Sequence, residues 1–414
     1  MSIRSGPGSA IDGLVFEYDM GNTSKSWKGA PTTNLLGDPT HFDNTTYWVN
    51  YNNANLIAPT TLTTAPDGTY TAYAFSGKNV TDYHTVQQNY NFTAGLTYTT
   101  SVYVKAGSYT SVFIQFAPAA MGDWISCSYY FTDGSVSSPT YGTMTYVGNG
   151  WYRCSLTATA TTSASSLGTA IYVRNAQYVG PNTVTPPELY LWKPQLEVSS
   201  FSTPFVNGTR SNTQALLDLT SNNVITTSNL TYNSNNTFSF NGSTNYITIP
   251  GKLVPDSVQE YTFSAWIKRS SGGGGADGRR FITESYYVAN NNQWIVSLWI
   301  EGGESNPRLI TSSPDLGAIA SNTSIQQNIW YHVVYTYVRN TVGGINLYVN
   351  GVLDTTGNTT ASNMLINGIY IGTYRAANDR WFSGSISQVQ IYNRALTAAE
   401  IKQNFYAVRR RFGL

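Results

Sequence analysis

Short runs of β-branched and aromatic residues dominate the chain, and turn residues interrupt them about every eight to twelve positions. In the run from Trp330 to Val338, alternate side chains would face opposite sides, with tyrosine and valine on one side and tryptophan, histidine and valine on the other. Bulk on both sides is typical of a strand inside a large sandwich. Similar runs occupy residues 98–105, 111–116, 261–268 and 293–300. The pattern predicts an all-β chain built from sandwich domains.

Two local signals fix particular turns and ends. Asn350-Gly351 stands between two apolar runs, and these residues supply the two positive-φ positions of a type I′ hairpin turn. Thr397 and Glu400 form a capping box before an apolar helical pattern, which predicts one short C-terminal helix. The glycine-rich stretch 270–278 has almost no side chains to pack and is predicted to be a mobile loop.

Composition excludes several classes of function. The 414 residues, 41% hydrophobic, suffice for two or three domains, and the formal charge of +1 gives no field to attract nucleic acid. Three histidines and two cysteines cannot form the usual zinc shells, and no dense aspartate run indicates calcium. No run of about 18 apolar residues predicts membrane insertion, and the N-terminus lacks the apolar segment of a secretory signal. We expect no cofactor and no metal.

Six motifs between residues 237 and 405 follow one another in a recognisable order. They are FSFNGSTNYITI, YTFSAWIK, WYHVVYTY, INLYVNGVLD, IYIGTYR and FSGSISQVQIYNRALTAAEI. The succession resembles the concanavalin A-like, laminin-G-type jelly-roll domain of phage and bacterial surface proteins. The resemblance implies a lectin-like jelly roll.

An earlier block resembles a second kind of sandwich. Its motifs are LTYTTSVYVKAG, GNGWYRCSLTATA and LYLWKPQLEVSSFSTPFV. They are similar to the carbohydrate-binding-module-like β-sandwich that recurs in tailed-phage fibre and virion proteins. The resemblance implies that Trp151 and Trp192 are core residues.

The second block interrupts the first domain. In phage laminin-G-type proteins a strand of the form GLVxxxDxGN precedes a short loop and an Asp-Leu segment, but here Gly13–Asn22 is followed by Asp218-Leu219 only after the second block. Because domain ends often lie close together, a surface loop can accept such an insertion. We therefore predict two jelly-roll sandwiches, one inserted into the other. An N-terminal arm occupies residues 1–10, and the first strand of the lectin-like domain lies within 11–32. The inserted module-like domain occupies 33–207, and the rest of the lectin-like domain, with its helix and basic tail, occupies 208–414.

Glu17 and Asp19 are the first candidates for a catalytic pair. They lie two apart on a predicted strand and so share a face. Glycosidases of this fold carry E-x-D-x-x-E, whereas Asn22 holds the third position here. A turn-anchoring Asp19 and a solvated Glu17 explain the pair more simply. His332 is predicted to be a hydrogen-bonded sandwich residue, and we assign no catalytic residues.

Sugar binding needs aromatic platforms beside planar polar groups, because sugar C–H faces stack on rings. Two loop clusters fit this requirement, and the alternative is that their tryptophans belong to the core. In the inserted domain Trp48, Tyr51 and Trp124 are comparable candidates. The candidate sugar-binding residues of the two loop clusters are Tyr286, Tyr287, Asn290, Trp294, Tyr374, Arg375, Asp379 and Trp381.

Three remaining features concern thiols and termini. Cys127 and Cys154 lie on predicted strands of the inserted domain, where free buried thiols are expected but a disulfide stays possible. The cluster Arg409–Arg411 would either dock on an acidic partner or interact favourably with the dipole of the helix end. The N-terminal arm is a second candidate contact element.

The sequence-based hypothesis is a non-enzymatic structural component of a tailed-phage particle, as a fibre, decoration protein or tail appendage. It would lie on the exposed virion surface, as a homo-oligomer, and contact other virion proteins and host surface glycans, but neither nucleic acid nor membrane. Two alternatives remain open. One is a glycoside hydrolase acting on host polysaccharide, and the other is a bacterial lectin or adhesin, extracellular or on the cell surface.

Overall fold

The chain divides into two compact units in the computed structural model. Unit 1 comprises residues 1–30 and 211–414, and unit 2 comprises residues 31–210. Unit 1 is therefore discontinuous in sequence, and the predicted insertion at 33–207 falls within unit 2. The residues described are 8–51, 55–173, 179–234, 237–255, 257–274, 278–285, 297–301, 306–313, 317–360, 366–374 and 380–414.

Strands account for nearly all regular structure. The first strand and those of unit 2 are β1 (Leu14–Asp19), β2 (Thr32–Thr33), β3 (Val49–Asn50), β4 (Asn55–Pro59), β5 (Tyr73–Gly77), β6 (Thr85–Asn91), β7 (Thr97–Ala106), β8 (Ser111–Phe116), β9 (Ile125–Tyr130), β10 (Gly142–Gly148), β11 (Trp151–Thr159), β12 (Ser165–Tyr172), β13 (Leu189–Val198) and β14 (Thr209–Arg210), with the short helix α1 (Pro118–Met121). The later strands of unit 1 are β15 (Thr226–Ser228), β16 (Thr231–Tyr232), β17 (Phe238–Asn241), β18 (Tyr246–Val254), β19 (Glu260–Arg269), β20 (Arg280–Ser285), β21 (Ser297–Glu301), β22 (Arg308–Ser313), β23 (Gly317–Ser324), β24 (Trp330–Val338), β25 (Ile345–Val349), β26 (Val352–Gly357), β27 (Ile366–Ile371) and β28 (Ser383–Tyr392). The chain ends in α2 (Ala398–Val408) and a 3₁₀ turn (Arg409–Phe412).

Unit 2 is a sandwich of two antiparallel sheets. In the described residues one sheet has the order β10-β11-β7-β13-β5-β4 and the other the order β3-β6-β12-β8-β9. Val112, Ile114 and Phe116 alternate with less buried positions along β8 and enter the core between the sheets. Period-two alternation is what places one face of each strand inside.

The two ends of unit 2 are joined by main-chain pairing. Strand β2 pairs antiparallel with β14, with Thr32 opposite Arg210 and Thr33 opposite Thr209. The hydroxyl of Thr32 also donates to the buried carboxylate of Glu197 at 2.8 Å. Entry and exit of this unit therefore lie side by side.

Unit 1 is a larger sandwich, and its core also lies between two sheets. Among the described residues, one sheet has the order β16-β17-β28-β19-β24-β25-β26 with β1 also paired to β28, and the other has the order β15-β18-β27-β20-β21-β22-β23. Phe16 and Tyr18 of β1 are fully buried in the core between the sheets. The first strand of the chain thus belongs to a domain whose remaining strands come after residue 210.

The predictions of local structure are confirmed. Asn350 and Gly351 have φ of 51° and 77° between β25 and β26, and Thr397 and Glu400 form both hydrogen bonds of the capping box. The fold class is also confirmed: the described chain is all-β, with two sandwiches and one short C-terminal helix of 11 residues.

The glycine-rich loop differs from its prediction as a mobile segment. The amides of Ser270 and Gly274 donate to the carbonyls of Ser383 and Trp381, at 2.8 and 2.7 Å. A Cβ at Gly273 would lie 2.7 Å from the Trp381 carbonyl oxygen, so glycine permits this close approach. The described part of the loop is held in place, and residues 275–277 lie outside the described residues.

The cysteines and tryptophans of unit 2 bear on the predictions for thiols, core residues and sugar-binding candidates. Cys127 and Cys154 are buried free thiols, as expected. Trp151 and Trp192 are buried, as the resemblance implied, but Trp48 is also buried in the core at 2% exposure, so it is wrong as a sugar-binding candidate. Its indole N–H donates to the Asp38 carbonyl, which explains how the core accommodates it.

Candidate functional site

Bulky side chains line the outer face of the β15-to-β23 sheet in unit 1. Cross-strand pairing places Phe281 opposite Trp299, and Trp299 opposite Ile310, so the three share one face. Their neighbours Ile282, Leu298, Ile300 and Leu309 point into the main core. The three therefore form a separate apolar cluster on the opposite side of the sheet.

The rings of this cluster are closely packed and flanked by arginines. Phe281 stacks on Trp299 with centroids 5.3 Å apart, and Tyr374 lies 4.8 Å from Phe281. The guanidinium carbon of Arg380 lies 4.4 Å from the centre of the Tyr374 ring, a cation–π distance. Arg279 lies 5.7 Å from Trp299 in the same relation.

A second group of rings continues the same face. Tyr246 of β18 lies 6.4 Å from Tyr370 of β27 and 6.1 Å from Trp381. All three are only partly buried. We call the six rings, Tyr246, Phe281, Trp299, Tyr370, Tyr374 and Trp381, the aromatic face of unit 1.

Two carboxylates accompany these rings. Glu284 is 1% exposed and lies opposite Tyr370 and Ser297 in the sheet. Glu301 accepts a hydrogen bond from the indole of Trp299 at 3.2 Å and lies 3.6 Å from the Arg279 guanidinium. Glu301 is four residues beyond Ser297 along β21, which puts it about 13 Å along the strand from the level of Glu284.

The spacing of Glu284 and Glu301 bears on whether they could act together as the two catalytic acids of a glycosidase. The paired carboxyl groups of retaining or inverting glycosidases lie about 5 to 9.5 Å apart. The main-chain positions of Glu284 and Glu301 are farther apart than this, and Glu301 is already engaged by Trp299 and Arg279. Within the described part of the aromatic face, these acids are not placed as a catalytic pair.

The aromatic face contains two of the sequence-predicted residues. Tyr374 packs on Phe281, and Trp381 lies near Tyr246. Phe281, Trp299 and Arg380 were missed, because only the cross-strand register shows which side of the sheet each occupies. The remaining candidates, Tyr286, Tyr287, Asn290, Trp294, Arg375 and Asp379, lie outside the described residues.

Glu17 and Asp19 lie on the outer face of the other sheet. The amides of Gln388 and Gln390 donate to Glu17 Oε1 at 2.7 and 3.1 Å, so the prediction of a solvated Glu17 is wrong. Burial raises the pKa of the Glu17 carboxyl, although both glutamine hydrogen bonds lower it. Asp19 anchors a turn by accepting the Gly21 amide at 2.8 Å, and it pairs with Arg411 at 2.6 Å. Both acids thus have structural partners.

His332 and Ser264 form a buried pair on that same sheet. Their Nε2 and Oγ atoms lie 2.9 Å apart, which confirms a hydrogen-bonded sandwich histidine. Burial lowers the pKa of His332 to about 3, so it is neutral and a weak base near pH 7. Trp266 stacks on His332, with ring centroids 5.1 Å apart, and covers one face of the imidazole.

The carboxylate of Asp218 accepts the main-chain amides of Glu17, Thr220 and Asn223, so it serves as a loop anchor. Over the described ranges, no group of three His, Cys, Asp or Glu side chains could hold a metal ion. No described helix has the length and apolar character to cross a membrane.

Comparison with known families gives one match. Residues 241–402 match the family described as Laminin_G_3, the concanavalin A-like lectin/glucanases superfamily. The match covers less than half of the chain and lies within unit 1. No curated protein matches the chain.

Solved structures show more distant similarity. A native heptameric SAP-like pentraxin from Limulus polyphemus is 20% identical, with 40% of this chain and 78% of that chain covered and a TM-score of 0.33. The binding domain of botulinum neurotoxin DC in complex with rat synaptotagmin II is 18% identical, with 47% and 50% covered and a TM-score of 0.36. A botulinum neurotoxin type C structure, for a toxin whose cell entry depends on interaction with two ganglioside molecules, is 16% identical, with 47% and 49% covered and a TM-score of 0.34. This chain spans about half the length of each neurotoxin chain.

At such TM-scores, what these proteins bind is not transferred to this chain. The family match and the two-sheet architecture agree over the same segment of unit 1. Residues 241–402 therefore form a concanavalin A-like, laminin-G-type β-sandwich domain.

Proposed function

We propose that the chain is a non-enzymatic, glycan-binding structural component of a tailed-phage particle. It is exposed on the virion as a fibre, decoration protein or tail appendage, and it adheres to host surface glycans. The aromatic face of unit 1 is the observation that supports glycan binding. The proposal extends the lectin-like fold of residues 241–402 to a specific site.

The chemistry of the face suits a sugar. Tyr246, Tyr370, Tyr374 and Trp381 keep part of their rings accessible, and sugar C–H faces stack on such rings. The guanidinium of Arg380, held over Tyr374, brings planar N–H donors to the same place, and these suit sugar hydroxyls. Phe281 and Trp299 support the layer from beneath by stacking on each other.

The positions and partners of the carboxylates support binding without hydrolysis. Glu284 and Glu301 are too far apart along the sheet, and the Glu17–Asp19 pair is occupied by glutamine and arginine partners. Neither of these two pairs therefore has the free, closely spaced carboxylates that a glycoside hydrolase needs. A bacterial lectin or adhesin would use the same aromatic face, and only its location differs.

The particle assignment rests on the sequence resemblance of both units to modules of tailed-phage virion proteins. Near-neutral charge and tyrosine-rich strands are consistent with weak, multivalent glycan contact. We propose a homo-oligomer on these grounds, with other virion proteins as partners. Light scattering on the purified chain measures its oligomeric state.

Glycan binding is tested with the full chain on a glycan array, followed by titration of each positive glycan. Trp381→Ala should weaken binding about tenfold, because one stacking platform is lost. Trp381→Phe keeps a ring and should retain most of the affinity. Tyr406→Ala, which removes a 43% exposed tyrosine from α2 of the same unit, is the matched control. Unchanged binding by Trp381→Ala would count against this site.

Location and catalysis need separate experiments. Proteomics of gradient-purified particles and antibody-gold labelling should find the chain at stoichiometric levels on virions. Its absence from particles would overturn the structural role. Reducing-end assays on the bound polysaccharides should show no cleavage, and cleavage that is lost in Glu284→Gln or Glu17→Gln would establish the hydrolase instead.

A further inference from the structure

Strand β10 lies at an edge of its sheet in unit 2. It pairs antiparallel with β11, and the described chain places no strand on its other side. The amide of Thr157 on β11 donates to the carbonyl of Tyr141, directly before β10, at 2.9 Å. Hydrogen-bonded pairs alternate with non-hydrogen-bonded pairs along an antiparallel ladder. The odd-numbered residues of β10 therefore direct their main-chain groups toward β11, and Met144 and Tyr146 direct theirs away from it.

The outward main-chain groups of Met144 and Tyr146 have no hydrogen-bond partner in the part of the chain that the structure describes. The edge is closed only at its beginning, where the Gly142 amide donates to the Ser138 carbonyl at 2.8 Å. Tyr146 is 60% exposed and Val147 is 40% exposed, so solvent reaches the strand. The N–H and C=O groups of these two outward residues are therefore available to a further strand.

The other sheet edges in the described ranges carry protection that β10 lacks. Strands β2, β3, β14, β15 and β16 have only two or three residues each. The segment 135–137 bonds to the main chain of β9, and the Leu219 amide bonds to the Glu17 carbonyl of β1. The Asp354 carboxylate of β26 accepts a main-chain amide of β23, so these two edges cover each other. Strand β4 ends at Pro59, which has no amide hydrogen to donate.

The composition of β10 also favours pairing with another strand. Its sequence, GTMTYVG, contains no aspartate, glutamate, lysine, arginine or proline. Edge strands commonly carry such residues because charge and proline prevent the addition of a further strand. Two copies of an uncharged strand can lie side by side without bringing like charges opposite each other. The strand is thus complementary to itself in hydrogen bonding and in charge.

We propose that β10 pairs antiparallel with β10 of a second copy of the chain. The inference names the contact of the homo-oligomer proposed above and rests on that proposal. When Thr145 lies opposite Thr145 of the second copy, Met144 lies opposite Tyr146 in both directions. Each of these two Met–Tyr pairs exchanges two N–H···O=C bonds, so all outward groups of both residues are satisfied. The contact is isologous, because the same residues serve both copies.

The side chains suit this register. A threonine pair across two strands is a favourable cross-strand contact, and the Met144 thioether would lie beside the Tyr146 ring. The Tyr146 ring is already positioned by Tyr152, with centroids 5.2 Å apart, and Tyr152 stacks on Phe131 at 5.4 Å. A single short ladder forms a small interface, so we expect a dissociation constant on the order of micromolar. A dimer carries two aromatic faces, and two contacts with one glycan surface raise avidity.

The test is sedimentation equilibrium of the full chain from about 1 to about 200 μM, around the expected dissociation constant. We expect a concentration-dependent dimer. Thr145→Lys, at an exposed position, brings two like charges opposite each other and should weaken association at least about tenfold. Thr61→Lys places the same charge on another exposed threonine of unit 2 and should leave association unchanged.

Cysteine cross-linking tests the register. In Thr145→Cys the two new thiols lie opposite each other in a non-hydrogen-bonded pair, about 4.5 Å apart at Cα, which is within disulfide reach. In Thr143→Cys the two thiols are four residues apart along the ladder, about 13 Å, which is beyond reach. Diamide oxidation should therefore give a covalent dimer on non-reducing gels only with Thr145→Cys. The native thiols, Cys127 and Cys154, are buried and serve as the same background in both variants.

The outcomes separate this contact from the homo-oligomer as such. A chain that stays monomeric at the highest concentration overturns both, whereas glycan-array binding is judged independently. An oligomer that persists unchanged in Thr145→Lys keeps the homo-oligomer and overturns the β10 contact. Cross-linking of Thr143→Cys as readily as Thr145→Cys overturns the register. Thermal unfolding shows whether unit 2 is folded in each variant, and the cross-linking of Thr145→Cys decides the proposal if Thr145→Lys does not fold.

Discussion

Glu17 shows how the surroundings of a residue decide what its side chain can do. Its carboxylate lies against the amides of Gln388 and Gln390, and burial raises its pKa above the ordinary value of 4.5. In the folded state the group therefore takes up a proton at a higher pH than in the unfolded state. Such a group lowers stability as the pH rises through its folded pKa, because a buried charge then forms.

Glu17→Gln should for this reason be at least as stable as the wild type at pH 7. Its advantage should shrink as the pH falls toward 4.5, where the wild-type carboxyl becomes protonated in the folded state. Thermal unfolding of both proteins between pH 4.5 and 8 measures the difference. Asp19→Asn is the comparison, and it should be less stable because it loses the charge pair with Arg411. A Glu17→Gln protein that is less stable at pH 7 would contradict the argument.

Glycine is needed at position 351 for two reasons, a positive φ and the close approach of Phe405. Its φ is 77°, and a Cβ there would lie 3.0 Å from the Cβ of Phe405. Gly351→Ala should therefore lower the free energy of unfolding of unit 1 by about 1–3 kcal/mol, from strain and crowding together. Gly343→Ala has a similar φ of 71° and only one loose neighbour at 3.4 Å, so it isolates the strain. Equal losses in the two variants, measured by denaturant unfolding, would exclude the contribution of Phe405.

At the scale of elements, the C-terminal helix and turn cover one sheet of unit 1. Phe405 of α2 and Phe412 of the 3₁₀ turn stack on Trp266, with centroids 5.6 and 4.1 Å away. Arg411 pairs with Asp19 of the first strand beside them. The basic cluster lies at the end of the helical segment, as its helix-end role predicts, and Arg411 has in addition a partner within the domain, while docking on an acidic partner stays a prediction.

Removing one ring should loosen this cover. Phe412→Ala loses its contacts with Trp266 and Trp330, and we expect a loss of about 1–2 kcal/mol in the stability of unit 1. Hydrogen exchange of peptides from α2 should become faster. Leu414→Ala, which truncates a 38% exposed side chain after the 3₁₀ turn, should leave the exchange unchanged. Protection of α2 that persists in Phe412→Ala would show that Phe405 alone holds the helix.

Whether a feature could be predicted from the sequence depends on how far apart in the chain the interacting residues are. The Asn350-Gly351 turn and the Thr397–Glu400 capping box depend on neighbours within four residues, and both were predicted correctly. Phe281 and Trp299 lie on separate strands and meet only through the pairing of β20 with β21, so no local pattern identified them as one cluster. Trp48 was misassigned for a related reason, since it packs on Phe42, and Phe42 in turn packs on Tyr73 of the distant strand β5.

At the scale of the whole molecule, each unit has its own core. The core of unit 1 contains Phe263, and that of unit 2 contains Phe116. Separate cores of this size are expected to unfold as separate cooperative transitions.

Calorimetry of the full chain should therefore resolve two transitions. Phe116→Ala should shift only the transition of unit 2, and Phe263→Ala only that of unit 1, each by the cost of about 3–5 kcal/mol for a large core cavity. Proteolysis during heating, followed by mass spectrometry, assigns each transition to its unit. A single transition that both variants shift equally would show that the two cores unfold together.

The pairing of β2 with β14 has a consequence for how such a chain can change. Since Thr32 and Arg210 are neighbours, the segment between them leaves and re-enters the first domain at nearly one point. A gene segment that encodes a different sandwich with equally adjacent termini could replace it by recombination, and the flanking jelly roll would keep its own strand order. Unit 2 is in that sense an exchangeable cassette, and its replacement would require no redesign of the domain that hosts it.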